Sequence, residues 1–188
     1  MGAGDWNDGM NRVGIEGKGE SVCWASSCTI FYKRFASLAD RRQDDAVASL
    51  CRREALRLQN NLEASAWDGE WYRRGYFDDG TPLGSKASQD CRIDAIAQSW
   101  SVLSGAVSRT RSELAMQALD KYLVDNEGGL IKLLTPPFDG HGPNPGYIQG
   151  LSARRAGKRR AVYSRRHLGG HGVCPHGERR NARGSYGR

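Results

Sequence analysis

Residues 90–106 read DCRIDAIAQSWSVLSGA. Ile93, Ile96, Ala97, Trp100 and Leu103 recur at helical spacing, and Gly105 stops the pattern. Working outward, the next helix is expected at about Ser108–Val124, with Leu114, Ala118, Leu119 and Tyr122 on one face. On the other side Val47, Leu50, Leu58 and Leu62 give a helix over about Arg42–Ala64, with charges filling the gaps. Between these lies a loop, WDGEWYRRGYFDDGTPLGS at 67–85, and LIKLLTPPFDGHGPNPGY at 130–147 is broken by prolines and glycines into another. No stretch alternates with the period of a strand. The expected fold class is all-α: hairpins of helices with functional loops at one end.

The charge separates two compositions. Residues 151–188 hold 11 of the 28 Lys and Arg but one of the 21 Asp and Glu, so the first 150 residues, with 17 basic and 20 acidic side chains, are mildly acidic. The domain expected over 1–150 is therefore followed by a basic tail at 151–188. The tail has too few large apolar side chains to build a core, and a disordered tail is expected. No apolar run approaches the length needed to cross a membrane, and the first residues lack a leader pattern. The five cysteines, Cys23, Cys28, Cys51, Cys91 and Cys174, are odd in number and form no CxxC pair, so neither a disulfide framework nor zinc is indicated. A cytoplasmic location without membrane contact is the expectation.

Three loops carry possible chemistry. In GDWND, Asp5 and Asp8 are one helical turn apart around Trp6 and Asn7. That spacing suits an acidic helix start. It equally suits a sugar site, where an indole stacks on a pyranose and a carboxyl reaches the glycosidic oxygen. The 67–85 loop mixes Trp71, Tyr72, Arg73 and Asp78 with further aromatics and acids. This is either a carbohydrate surface or a loop anchored by its rings, and its DDG lacks the spaced oxygens of a calcium loop. His141, the one histidine before the tail, is either an exposed loop residue or a catalytic one. The arginines of the tail can meet phosphates of a polyanion, but no motif of a specific nucleic-acid module is present.

MGAGDWNDGMNRVGIEGKGES at 1–21, AWDGEWYRRGYFDDGTPLGS at 66–85, CRIDAIAQSWSVLSGA at 91–106 and LLTPPFDGHGPNPGYIQG at 133–150 together resemble glycoside hydrolase family 94. The likeness is strongest to the phosphorylase-like region of cyclic β-1,2-glucan synthases, and covers 1–150 apart from about 23–32. It implies part of an (α/α)6 barrel, the later hairpins only. It also implies inverting transfer of glucose between a β-glucan, β-1,2-linked, and inorganic phosphate as co-substrate, with no cofactor or metal. Phosphate is already an anionic nucleophile, so of the two carboxylates an inverting hydrolase needs, only the acid remains. The resemblance implies that Asp8 is that acid, that Trp6 contacts substrate and that Asp5 supports it. Asn7, Trp71, Tyr72, Arg73, Asp78 and Gln98 complete the expected substrate-binding set.

After Gly150 the likeness stops. The family continues with a segment close to YPPGVRENGGQYTHA, whose Glu contacts sugar and whose His helps hold phosphate. With suitable synonymous codons, a one-base shift after Gly150 turns the visible tail into that segment, so the tail is expected to be out of frame. A smaller shifted patch is expected within VCWASSCTIFYKRFA at 22–36, and Met1 to be internal to a longer domain. The expectation is thus a fragment that keeps the acid, lacks the phosphate site and is inactive alone. A non-catalytic carbohydrate-binding remnant, or polyanion binding through the tail, are the alternatives.

Overall fold

The computed structural model describes residues 8–153 and the pair 163–164. Four helices form two hairpins. In the first, α1 (Val22–Arg41) packs along α2 (Asp45–Asn61), which tightens into a single π turn at Leu62–Ala66. In the second, α3 (Ala95–Ser104) packs on α4 (Arg109–Leu123), and α3 also meets α1. A short α5 (Ile148–Ala153) follows. Each main helix begins on a side-chain oxygen that takes an otherwise orphan amide: Ser21 for Trp24, Asp44 for Val47, Asp94 for Ile96 and Ala97, and Ser108 for Arg111. Gly105, at φ +53, ends α3 as the sequence predicts.

Two expectations need correction. The segment 22–41 folds as a 20-residue helix in the sequence as it stands. Its crowded hydroxyls are satisfied within the helix: Ser27 Oγ donates to Cys23 O at 3.0 Å, and Thr29 Oγ1 donates to Ala25 O at 2.9 Å. A shifted reading is not required to make a helix there. The helix expected over Arg42–Ala64 is accordingly the second arm of a hairpin, starting only after the Asp44 cap.

The loops also contain short strands that the sequence did not suggest. These are β1 (Glu20–Ser21), β2 (Gly75–Tyr76), β3 (Pro82–Leu83), β4 (Ile93–Asp94), β5 (Val124–Asp125), β6 (Leu130–Lys132), β7 (Leu134–Thr135) and β8 (Tyr163–Ser164). They form three small antiparallel groups, β1-β2-β3, β4-β7 and β5-β6-β8. Strands of two or three residues cannot display an alternation, so none was legible. They act as clasps. A Cβ on Gly75 would lie 2.4 Å from Glu20 O, so only glycine lets β2 close onto β1. The expectation of a tail without structure from residue 151 lies outside the described residues, except that α5 runs on to Ala153 and Tyr163–Ser164 pair with β6. No helix among the described residues is long and apolar enough to cross a membrane.

The core has three parts. Val22, Leu62, Ala66, Tyr72, Ala97 and Ala115 join the two hairpins. Trp71, Ile93, Ala118, Leu119 and Leu123 seat the aromatic loop against α4. A third cluster contains no residue of the four long helices: Met10, Val13, Phe77, Leu83, Cys91, Leu134, Phe138 and Ile148. Every loop that the sequence marked as functional contributes to that third cluster.

Candidate active site

The loop from residue 8 to 19 begins with a 3-10 turn at Asp8–Met10 and is held on three sides. From beneath, Met10 and Val13 are buried among Phe77, Leu83 and Phe138. From the 141–147 loop, Pro145 O accepts Arg12 N–H at 3.1 Å, and Tyr147 N–H donates to Asn11 Oδ1 at 3.3 Å. Gly146, at φ +122, is what allows this approach, because a Cβ there would sit 2.1 Å from Asn11 Oδ1 and 3.0 Å from Gly9 O. The third restraint is Asp78. Its carboxylate accepts Glu16 N–H at 2.9 Å and the N–H groups of Lys18 and Gly19 at 2.8 Å each. Those backbone bonds, with the one from Glu16 the largest effect, hold its pKa below the usual carboxylate range.

The turn that opens at Asp8 is therefore held in place by three neighbouring segments. Trp6, Asn7 and Asp5 lie outside the described residues, as does the side chain of Asp8.

The other expected substrate contacts are placed differently from the sequence expectation. Asp78 has both oxygens committed to the 16–19 backbone and serves as a clamp between loops. Trp71 is buried against Tyr122, and its indole N–H donates to Gly84 O and Arg92 O at 3.0 and 2.9 Å. Tyr72 is 1% exposed, edge-on to Trp67, with its hydroxyl 3.4 Å from Glu63 Oε1. Burial, then the neighbouring Glu63 charge, pushes its phenol well above the ordinary range, so it stays neutral.

Gln98 has no exposed surface. Its Oε1 accepts Tyr72 N–H at 2.8 Å, and its Nε2 donates to Tyr72 O at 2.8 Å and Asp94 O at 2.9 Å. Gln98 is thus a strut between α3 and the aromatic loop. Tyr72 and Gln98, and largely Trp71, present no face to a ligand; they shape the loop from inside. Arg73 is one-quarter exposed and forms a fork on Asp68 Oδ1, with further bonds to Ser65 O and the Tyr76 hydroxyl. The first two physical readings of this loop merge: the rings anchor it, and the anchoring fixes where its polar edge lies.

Sequence reasoning missed two buried groups. Arg74 is fully buried, donates to Ser21 Oγ at 3.1 Å and stands 3.7 Å from Asp94 Oδ2. It links the start of α1 to the cap of α3. Burial raises the Asp94 pKa, and the Arg74 charge opposes that rise. Asp94 carried a signal, an Asp directly before an apolar-periodic run, whereas nothing local marks Arg74. Asp90 is the second; its Oδ2 accepts N–H groups from Gly140, His141 and Gly142 at 3.2–3.3 Å. His141 itself is exposed, 3.4 Å from Asp139. Among the described residues, no three His, Cys, Asp or Glu side chains group as metal ligands would.

Two helical hairpins whose loops converge on one apolar cluster form the part of the fold that bears the candidate site. The glycosyl hydrolase 94 superfamily catalytic domain matches residues 1–161. The cyclic β-(1,2)-glucan synthase NdvB of Rhizobium meliloti (strain 1021) is 48% identical over 148 residues, 78% of this chain and 5% of the synthase. Solabiose phosphorylase of Paenibacillus borealis is 34% identical over 149 residues, 79% of this chain and 19% of that enzyme. Cellobionic acid phosphorylase of Neurospora crassa is 35% identical over 136 residues, 72% of this chain and 17% of that enzyme. The chain belongs to the glycosyl hydrolase 94 superfamily. It spans at most about a fifth of the length of these relatives, and corresponds to part of an all-α, (α/α)6-barrel catalytic domain.

Proposed function

We propose that this chain is the acid-bearing segment of an inverting β-glucan phosphorylase or glucan synthase domain, with a β-1,2-linked glucan and phosphate as its substrates. In this reading a phosphate oxygen attacks the anomeric carbon, the C1–O glycosidic bond breaks, and the leaving oxygen takes the proton of Asp8. The products are glucose 1-phosphate of inverted configuration and a glucan one unit shorter. Trp6 stacks on the sugar, and Asp5 and Asn7 bond its hydroxyls. No second carboxylate is required, because phosphate needs no base. Arg73 and the other aromatic-loop residues act by fixing the loop that flanks the turn.

One observation carries the reading. The Asp8–Met10 turn is seated where the four family-like stretches meet in a single cluster, by Met10, Val13, Phe77, Cys91, Leu134 and Phe138. Such a seat is what a general acid needs, since its contribution of about 10²–10⁴-fold depends on holding the proton within hydrogen-bond reach of the leaving oxygen. The experiment is a transplant. Residues 1–150 replace the matching segment of the Rhizobium meliloti synthase, and glucose 1-phosphate is measured with β-1,2-gluco-oligosaccharides and phosphate. Activity that falls by about 10²-fold or more in Asp8→Asn, and less in Asp5→Asn, supports the assignment. Full activity in Asp8→Asn with a dead Asp5→Asn refutes it.

A further inference from the structure

Beside the seat of the Asp8 turn lies a cavity of about 300 Å³, at the lower end of the range of small-molecule sites. It opens between the Phe77–Leu83 hairpin tip, the turn at 87–90 and the loop 138–143. Its apolar wall includes Phe77, Pro82 and Pro143, and its polar wall Asp90, Ser88 and Gln89. Phe77, Leu83 and Phe138 have two roles: they back this cavity and also pack on Met10 beneath the candidate acid.

The polar wall is built, not incidental. Asp90 is 6% exposed, and its Oδ2 is saturated by the N–H groups of Gly140, His141 and Gly142. This fixes the carboxylate and leaves Oδ1 with no described donor. The next residue, Cys91, is held at φ +47, a left-handed conformation that residues with a Cβ adopt at a cost. Its N–H is fixed on Pro136 O at 2.8 Å, and the residue is wholly buried. Strained backbone next to a pinned carboxylate whose second oxygen is open to the cavity points to a binding feature rather than a packing one.

The chemistry selects the ligand. A carboxylate in the wall repels phosphate, so this is not a second anion site. A ring with one C–H face and hydroxyls at its rim suits an aromatic and proline wall facing a carboxylate and an amide. We infer that the Asp90 cavity is a subsite for a pyranose unit of the glucan, separate from the unit cleaved, with Asp90 Oδ1 accepting a sugar hydroxyl. This rests on the proposal that the chain acts on a glucan. A subsite sharing its back wall with the acid's seat lets binding energy from a remote glucose hold the scissile bond in place.

The test uses the 188-residue chain titrated with β-1,2-linked gluco-oligosaccharides, read by calorimetry and by amide shifts. Asp90→Asn keeps an acceptor for the 140–142 amides while removing the charge. Ala87→Trp, at an exposed position on the rim, fills the cavity without touching the core. Shifts at 81–90 and 140–143, and affinity lowered about tenfold or more in each variant, are expected, the loss tied to one charge-assisted hydrogen bond. Inorganic phosphate alone should leave those amides unmoved. Unchanged affinity in both variants, shifts confined to residues 9–21, or no binding by the parent chain overturns the subsite. None of these results bears on Asp8, whose role is judged by glucose 1-phosphate release in the transplant.

Discussion

Replacing Gln98 by Leu preserves shape and deletes three hydrogen bonds at one stroke. Tyr72 N–H loses its acceptor, and Tyr72 O and Asp94 O lose a donor. Tyr72 is 1% exposed and Gln98 wholly buried, so water does not replace what is lost. A buried backbone group left without a partner costs about 1–3 kcal/mol. Counting the two Tyr72 groups gives about 2–6 kcal/mol, which is a roughly thirty- to twenty-thousand-fold rise in local opening. Hydrogen exchange at the peptide spanning 70–77 reads this directly, whether or not the chain unfolds in one step.

Gln98→Glu sharpens the test through its sign. A carboxylate there keeps the Tyr72 N–H bond but turns its second oxygen toward two carbonyls. Its folded pKa is therefore raised, and the protonated form can donate again. Protection should be fullest below the unfolded value of about 4.3 and should be lost as pH rises through the higher folded value. If Gln98→Leu left exchange at 70–77 within about threefold of the parent, less than 1 kcal/mol, the strut argument would fail.

Asp78 provides the opposite sign. Its pKa is depressed by the amides it binds, so its hold on residues 16–19 is present above about pH 4 and fades as pH falls through the lower folded value. Exchange of the Lys18 and Gly19 amides should rise there and in Asp78→Ala at neutral pH; equal protection in Asp78→Ala would exclude the clamp. On α1, Phe31, Phe35 and Leu38 are 62%, 53% and 41% exposed, an apolar stripe of the kind that drives association. Phe31→Ser with Phe35→Ser should lower self-association in sedimentation without loss of helical signal, and an association state unchanged by both would count against that face.

The helices α2, α3 and α4 were legible because each shows an apolar stripe and a capping residue within its own span. Helix α1 was not, because Ser26, Ser27, Cys28 and Thr29 interrupt its stripe, and the hydroxyls of Ser27 and Thr29 find their carbonyl partners only once the helix exists. The site was legible as a set of loops and illegible as a set of contacts. Gln98 and Tyr72 are 26 positions apart, Asp90 and the 140–142 loop about 50, and Arg74 and Ser21 53. No local pattern reports a partner so distant, so an aromatic loop that reads as a sugar surface turned out to have its rings inside. Asp94 is the exception, since a helix cap is announced by its neighbours.

The seat of Asp8 depends on the bonds from residues 11–12 to 145–147, the Asn11 to Tyr147 bond spanning 136 positions. Helical hairpins close over short chain distances, whereas this clasp must wait until nearly the whole segment has been made. A chain released before residue 145 would keep both hairpins and still leave the turn at residues 8–13 unseated. The seating of that turn is thus among the last contacts such a polypeptide makes as it folds, and among the first it loses when residues 145–147 are cut away.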